Sequence, residues 1–308
     1  MVNAASTVRS LQSLSPLQQA YAWAALAMAL QYLFSTLAYA QVFPDIAGKS
    51  LNGIIKNSTY LIPGILAVIG VWLFEGRNGI ARIFKPYLKL TVRPWWFMLA
   101  GAIMLPILLL ALMLVQLLNQ PVIDLPAPVW PSLEEFIRTT PMLVQVAISD
   151  ELFWIGFIYP RLVGGGYSRV KAALVIGVLW GMDYLPFILT GFFVAPGLSA
   201  SSMVLGWFAL APVYIWFYHK TGSATLLVFF NVSMQYSYNI LPVLPGVTGS
   251  NMEVAMANLV TFIAGMLLWW LYPRGAETTE GRGPGYPSQH QPQPYPLQPG
   301  KPRRSPAH

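Results

Sequence analysis

Eight apolar segments, each close to the length of a bilayer-spanning helix, recur along the chain. A helix needs about 20 apolar residues to cross the hydrocarbon core of a membrane. Only 9 % of the 308 residues are charged, whereas soluble domains average roughly 25 %. We therefore predict an all-α, polytopic membrane helix bundle of about eight transmembrane helices. The predicted spans are Leu17–Ala40, Thr59–Phe74, Trp95–Leu118, Met142–Leu162, Val170–Leu189, Ser201–Tyr218, Ala224–Ile240 and Met252–Tyr272.

The basic residues are unevenly distributed between the two sets of loops. All of the 18 Lys and Arg residues except Lys49, Lys56 and Arg138 fall on the side of the N-terminus. Cytoplasmic loops are enriched in such residues, so we predict that both termini are cytoplasmic. This distribution explains the net charge of +7 without a nucleic acid, and we expect none as a partner. We expect an integral protein of a prokaryotic plasma membrane.

Three regions follow one another along the chain. Residues 1–16 form a polar lead-in, residues 17–273 form the transmembrane domain, and residues 274–308 form a basic cytoplasmic tail rich in Pro and Gln. The tail cannot bury an apolar core, so we expect it to be disordered. Within the domain, the loop 75–94 interleaves basic and apolar residues, which is typical of a segment lying on anionic headgroups.

Asp150 and Glu151 lie side by side inside the predicted span Met142–Leu162. A charged side chain at the centre of a bilayer costs about 2.5–3.5 kcal/mol on insertion scales, so carboxyls at this depth usually face a protein interior or a polar cavity. Adjacent residues point about 100° apart on a helix, and both carboxyls can therefore reach one cavity. Ser132 followed by Glu135 is a capping box that predicts the start of this helix.

Two further sets of polar residues lie at membrane depth. One set is Asp183 and Tyr184. The other is Asn231, Gln235 and Tyr238, which follow the i, i+4 and i+7 spacing of one helix face. These residues form a candidate polar site together with the two adjacent carboxyls.

The three sets also have ordinary structural interpretations. The acid pair could hydrogen-bond Asn231 and Gln235 across the bundle, for about 0.6 kcal/mol a pair. Asp183 could cap a helix end or pair with Arg161 or Arg169. We favour a functional site for the acid pair, because ionisable groups at this depth are usually functional.

Three segments, taken in order, resemble the motifs of the CAAX-protease and bacteriocin-processing (CPBP) intramembrane proteases. Residues 150–157, Asp-Glu-Leu-Phe-Trp-Ile-Gly-Phe, resemble the Glu-Glu-x-x-x-Arg motif. Residues 180–184, Trp-Gly-Met-Asp-Tyr, resemble Phe-x-x-x-His. Residues 231–235, Asn-Val-Ser-Met-Gln, resemble His-x-x-x-Asn and follow a Thr-Gly-Ser lead-in at 221–223. The resemblance covers a core of about 131–240.

The resemblance implies hydrolysis of peptide bonds in membrane-associated or prenylated peptides. It also implies catalytic roles for five residues. Asp150 stands in the place of the glutamate that activates water, and Glu151 matches the second glutamate. Tyr184 and Asn231 stand in the places of the two histidines, and Gln235 stands in the place of the asparagine.

These replacements weaken the expectation of activity. Ile155 occupies the place of the motif arginine, so the positive partner is absent from the motif. The family implies zinc, but Tyr184 and Asn231 are poor zinc ligands compared with histidine. The three histidines of the chain, His219, His290 and His308, lie at a helix end or in the tail. We therefore predict no metal and no other cofactor, and a catalytically degenerate CPBP-type protein.

Three functions remain open. The first is a protease without metal, in which Asp150 is the general base and Tyr184, Asn231 or Gln235 stabilises an oxyanion. The second is a non-catalytic scaffold or binding protein for a lipid, a membrane-embedded or lipidated peptide, or a partner membrane protein. The third is a small transporter that uses Asp150, Glu151 and Asp183. The replacements favour the second, and every alternative has the lipid bilayer as a partner.

Overall fold

The computed structural model describes residues 13–43, 50–56, 58–89, 91–119, 130–191 and 196–271. These residues are almost entirely helical and contain no β-strand, so the predicted all-α helix bundle is confirmed. The predicted tail 274–308 and most of the lead-in lie outside the described residues. The helices are α1 (Pro16–Tyr39), α2 (Leu51–Lys56), α3 (Ile62–Phe84), α4 (Pro94–Ala102), α5 (Met104–Asn119), α6 (Leu133–Asp150), α7 (Tyr159–Gly164), α8 (Arg169–Asp183), α9 (Leu185–Leu189), α10 (Ala200–Thr221), α11 (Ala224–Ile240), α12 (Pro245–Thr248) and α13 (Met252–Leu271).

Among the described residues, seven helical stretches are long and apolar enough to cross a membrane. They are Pro16–Tyr39, Leu51–Leu88, Pro94–Leu118, Leu133–Gly164, Arg169–Leu189, Ala200–Thr221 and Met252–Leu271. The remaining predicted span forms α11 with the predicted bounds, and its 17 residues extend over roughly 25 Å at 1.5 Å per residue. The protein is therefore an integral membrane protein in contact with lipid.

Serine side chains start the helices that carry the site. Ser132 accepts a hydrogen bond from Glu135 N at 3.1 Å, which confirms the predicted start of α6. Ser168 caps α8 and Ser223 caps α11 in the same way. The residue before Ser223, Gly222, adopts φ 61°, which ends α10 and allows a two-residue turn. The Thr-Gly-Ser lead-in therefore fixes where α11 enters the bundle.

Close helix contacts set the positions of α8 and α6. A Cβ atom at Gly177 or Gly181 of α8 would lie 2.7 Å from a backbone Cα atom of α10, so these two glycines allow α8 and α10 to touch. A Cβ atom at Gly64 of α3 would lie 2.9 Å from Ser149 Cα. The Gly64 N–H also donates to Ser149 Oγ at 2.9 Å. These contacts fix Ser149, the residue before Asp150, and the last two turns of α8, which precede Tyr184.

The predicted loop 75–94 is largely helical in the structure. Gly76 interrupts α3 with φ 65° and ψ −150°, and helical structure then continues to Phe84. Ile83 is buried against Gly156 rather than exposed to headgroups. The Tyr87 hydroxyl donates to Ile148 O at 3.2 Å, so this segment packs onto the bundle close to the acid pair. Gly76 permits this because glycine has no Cβ that would oppose a positive φ.

Candidate functional site

The acid pair lies where the α-helix α6 changes to a π-helical segment, Glu151–Ile158. Asp150 is 2 % exposed and Glu151 is 1 % exposed, so both carboxyls face the interior of the bundle. Short π-helical segments inside α-helices occur frequently at functional sites. Both acids are therefore buried within the bundle, and the expectation that both reach one cavity stays a prediction.

Tyr184 is directly bonded to the acid pair. Its hydroxyl donates to Asp150 Oδ2 at 2.8 Å, and its ring packs against Phe187 and Trp207. The indole nitrogen of Trp180, one helical turn earlier, lies beside the same carboxyl without a hydrogen bond of standard geometry. The residue in the place of the motif histidine thus contacts the residue in the place of the water-activating glutamate.

Glu151 has a different environment from Asp150. Neither of its carboxyl oxygens has a hydrogen-bond partner among the described side chains and backbone. The Tyr214 hydroxyl of α10 lies beside it and is also unpartnered. A buried polar group without a partner costs about 1–3 kcal/mol, so such groups normally bind water or a polar ligand. Glu151 and Tyr214 are therefore adjacent buried polar groups, and neither lines the cavity described below.

Asn231 and Gln235 do not bond to the acid pair. Asn231 is 2 % exposed and its Nδ2 atom has no partner within the described structure. Gln235 and Tyr238 line a separate cavity. The alternative in which the two amides hydrogen-bond Asp150 and Glu151 across the bundle is wrong for the residues as the structure places them. Asn231 is buried outside the cavity, whereas Gln235, one turn later on the same face of α11, lines it. The i, i+4 spacing alone did not reveal this difference.

Asp183 has a partner that the sequence analysis missed. Gln31 Nε2 of α1 donates to Asp183 Oδ2 at 3.0 Å, and both side chains are buried. Neither Arg161 nor Arg169 forms an ion pair with this carboxyl. Arg161 pairs with Glu75 at 2.9 Å instead. A lone glutamine inside the apolar first span was the available signal for the contact.

Two arginines, paired with one glutamate, bind backbone carbonyls near the C-terminal end of the π-helical segment. Arg82 forms a bidentate pair with Glu75, with both distances at 2.7 Å, and also donates to Gly156 O at 3.1 Å. Pro160 has no N–H group, so Gly156 O lacks the donor that an α-helix would supply. Arg161 bonds Phe157 O at 3.1 Å and lies over the Phe157 ring. We call Glu75, Arg82 and Arg161 the charged clasp.

A cavity of about 430 Å³ opens beside the site, toward the end of the bundle where α6 begins. Tyr184 and Gln235 line it, whereas Asp150, Glu151 and Asn231 do not. Tyr184 therefore contacts both the cavity and, through its hydroxyl, the acid pair. Apolar side chains make up much of the wall, among them Met142, Leu143, Met203, Trp207, Leu210 and Met234.

The residues of the site do not fit the zinc that the resemblance implies. No group of three or more His, Cys, Asp or Glu in the described ranges could hold a metal ion. Tyr184 uses its hydroxyl as a hydrogen-bond donor to Asp150, and Asn231 offers a neutral amide. Zinc in proteins is bound by thiolates, imidazoles and carboxylates, usually four of these ligands or three and water. No chemical step through a metal is derived for this chain.

Residues 132–237 match the family of Rce1-like proteins, described as type II CAAX prenyl endopeptidase Rce1-like. These bounds agree with the core of about 131–240 on which the three motifs lie. No curated protein matches the chain significantly. The matched residues run from the Ser132 cap of α6 to Ser237 of α11 and include all five candidate site residues. The chain therefore carries an Rce1-like region, and its resemblance to the CAAX proteases is confirmed.

Proposed function

We propose that this CAAX-protease-like membrane protein binds a prenylated or otherwise lipidated peptide in the 430 Å³ cavity and does not hydrolyse it. The hydrogen bond from Tyr184 to Asp150 carries the proposal. It occupies one oxygen of the carboxyl that would activate water, and the same tyrosine lines the cavity. Asp150, Glu151, Tyr184, Asn231 and Gln235 are then the remains of a hydrolytic site.

Hydrolysis would require a different arrangement of these groups. A general base must lie within hydrogen-bond reach of the attacking water, and donors must face the developing oxyanion. Asp150 and Glu151 are almost completely buried, and neither lines the cavity. The binding function needs only the cavity, whose apolar wall and polar mouth suit a lipid chain attached to a peptide.

The same proposal includes an orientation. We place both termini in the cytoplasm of a prokaryotic cell, since only Lys49, Lys56 and Arg138 fall on the opposite side. The cavity then opens toward the non-cytoplasmic face, because α6 begins there. A partner membrane protein could present the lipidated segment at this face.

The test is a paired measurement of binding and cleavage. The purified full-length protein in lipid nanodiscs is mixed with a fluorescent farnesylated peptide, and anisotropy reports binding while mass spectrometry reports cleavage. Zinc is added to one sample and a chelator to another. We expect saturable binding and an intact peptide in both. Cleavage that is lost in Asp150→Asn or Glu151→Gln would overturn the proposal.

A matched pair of variants locates the binding site. Met203 lines the cavity, whereas Leu205 on the same helix is exposed on the outer surface of the bundle. Met203→Trp should fill the cavity and reduce binding at least tenfold, and Leu205→Trp should bind as the wild type does. Equal binding by both variants would show that the peptide binds elsewhere.

A further inference from the structure

The cavity contains a single charged side chain among the described residues that line it, Glu135 at its mouth. Its other polar side chains are neutral hydroxyls and amides, among them Thr139, Ser202, Gln235 and Asn258. No Lys, Arg or His contributes to this lining. The cavity can therefore offer neutral hydrogen bonds and one negative charge to a ligand, but no positive charge.

The chain around the mouth has the same character. The described connections 196–199 and 241–251, which contribute Leu198 and Leu244 to the lining, contain no charged residue. Arg138 is exposed on α6 and does not line the cavity. The described connections that line the cavity thus add no positive charge to it.

Helix ends do not supply the missing positive charge. The N-terminus of a helix attracts anions through its unpaired N–H groups and its dipole. At the start of α6, Ser132 already accepts from Glu135 N, and Glu134 and Glu135 lie in the first turn. At the start of α13, Glu253 lies in the first turn. Both ends are therefore compensated by acids of the protein itself. The start of α10 has no acid in its first turn and is capped instead by Ser199 Oγ, which accepts from Ser202 N at 3.1 Å.

We infer that the cavity takes a lipidated peptide whose carboxyl terminus is blocked as an ester or amide, and that it discriminates against a free terminal carboxylate. The inference rests on the proposed function and specifies its ligand. A CAAX sequence ends the chain that carries it, so such a peptide bears a free carboxylate. Moving that carboxylate out of water beside Glu135, without a cationic partner, is unfavourable. An ester or amide can instead accept bonds from the neutral groups of the wall.

The test uses two farnesylated peptides of identical sequence, one with a free carboxyl terminus and one with a methyl ester. Binding to the full-length protein is measured in nanodiscs of phosphatidylcholine, so that the lipid carries no net charge and does not select between the peptides. We expect the ester to bind at least tenfold more tightly. Equal binding, or tighter binding of the free acid, would overturn the inference and leave the proposed function standing.

Charge variants identify the source of the discrimination. Glu135→Lys places a cation at the mouth and should reduce the preference for the ester at least fivefold. Glu134→Lys makes the same change one residue earlier, at a side chain that does not line the cavity, and should keep most of the preference. An unchanged preference in Glu135→Lys would contradict the assignment. If neither peptide binds the wild type, the proposed function fails and this inference fails with it.

Discussion

The hydroxyl of Tyr184 donates to Asp150 Oδ2 at 2.8 Å and joins the end of α8 to the end of α6. The two residues are 34 positions apart in the sequence, and both are buried. In the resembling family, their motif positions belong to a histidine and a water-activating glutamate. In this chain the same two positions form a hydrogen bond, and one of the two residues, Tyr184, also lines the cavity.

Tyr184→Phe should destabilise the protein by about 1 kcal/mol. The variant keeps the ring contacts with Phe187 and Trp207 and removes only the donor to Asp150. Side-chain hydrogen bonds inside membrane proteins average about 0.6 kcal/mol, and a buried acceptor left without its donor adds to the loss. Reversible unfolding in mixed micelles measures the change.

A double-mutant cycle with Asp150→Ala assigns this loss to the pair, because alanine removes the acceptor. A coupling free energy near zero would show that the hydrogen bond contributes nothing. Tyr39→Phe is the control, because Tyr39 is exposed on the outside of α1. That variant should unfold as the wild type does.

Glu75→Gln should destabilise the protein by about 2 kcal/mol. The change leaves Arg82 and Arg161 of the charged clasp without their shared carboxylate. Breaking a fully buried ion pair costs about 3–5 kcal/mol, and the partial exposure of Glu75 reduces that figure. The unfolding free energy at low and high salt measures the effect.

Glu134→Gln is the control for the charged clasp. Glu134 is exposed in the first turn of α6, and removing its charge should cost at most about 1 kcal/mol. An equal loss of unfolding free energy in Glu75→Gln and Glu134→Gln would mean that the charged clasp contributes no more to stability than an exposed acid does. We also expect Glu75→Gln to loosen the π-helical segment, seen as faster amide exchange over 151–158.

Gly64→Ala should destabilise the bundle by about 1–3 kcal/mol. Its Cβ atom would lie 2.9 Å from Ser149 Cα, and the backbone of α6 would have to shift. The movement would carry Asp150, the next residue, away from Tyr184. Thermal unfolding in detergent measures the stability change.

Gly164→Ala is the matched control, since a Cβ atom there meets nothing within 4 Å. We expect a change within about 0.5 kcal/mol of the wild type. If Gly64→Ala were equally neutral, the helix contact at Ser149 would not constrain the site.

The purified wild type should contain no stoichiometric zinc, and a chelator should leave its melting temperature unchanged. The physical reason is the donor set, in which Tyr184 and Asn231 replace imidazoles. Elemental analysis and thermal unfolding make the two measurements. One zinc ion per chain, with a lower melting temperature after chelation, would contradict this prediction. The variant Tyr184→His combined with Asn231→His tests whether imidazoles at these positions are enough to bind zinc.

Part of the site could be predicted from the sequence because it depends on local chemistry. Two adjacent carboxyls inside an apolar span are costly unless buried in protein, and Asp150 and Glu151 are both buried. The roles of the five candidate residues stay predictions. Gln235 shows the limit of helix periodicity, because its place on the same face as Asn231 did not reveal that it lines the cavity instead.

The sequence by itself determined the helical membrane class, most of the spans and the helix starts at Ser132 and Ser223, since hydrophobicity and end capping act over a few neighbouring residues. Only the tertiary structure decided which polar groups meet. Gln31 reaches Asp183 across 152 positions, and Tyr184 reaches Asp150 across 34. Such contacts depend on how closely two helices approach each other. A glycine such as Gly64 permits a close approach, but it does not specify which helix will be the neighbour. The acid pair and Tyr184 were visible in the sequence, whereas the contact of Tyr184 with both Asp150 and the cavity was visible only in the fold.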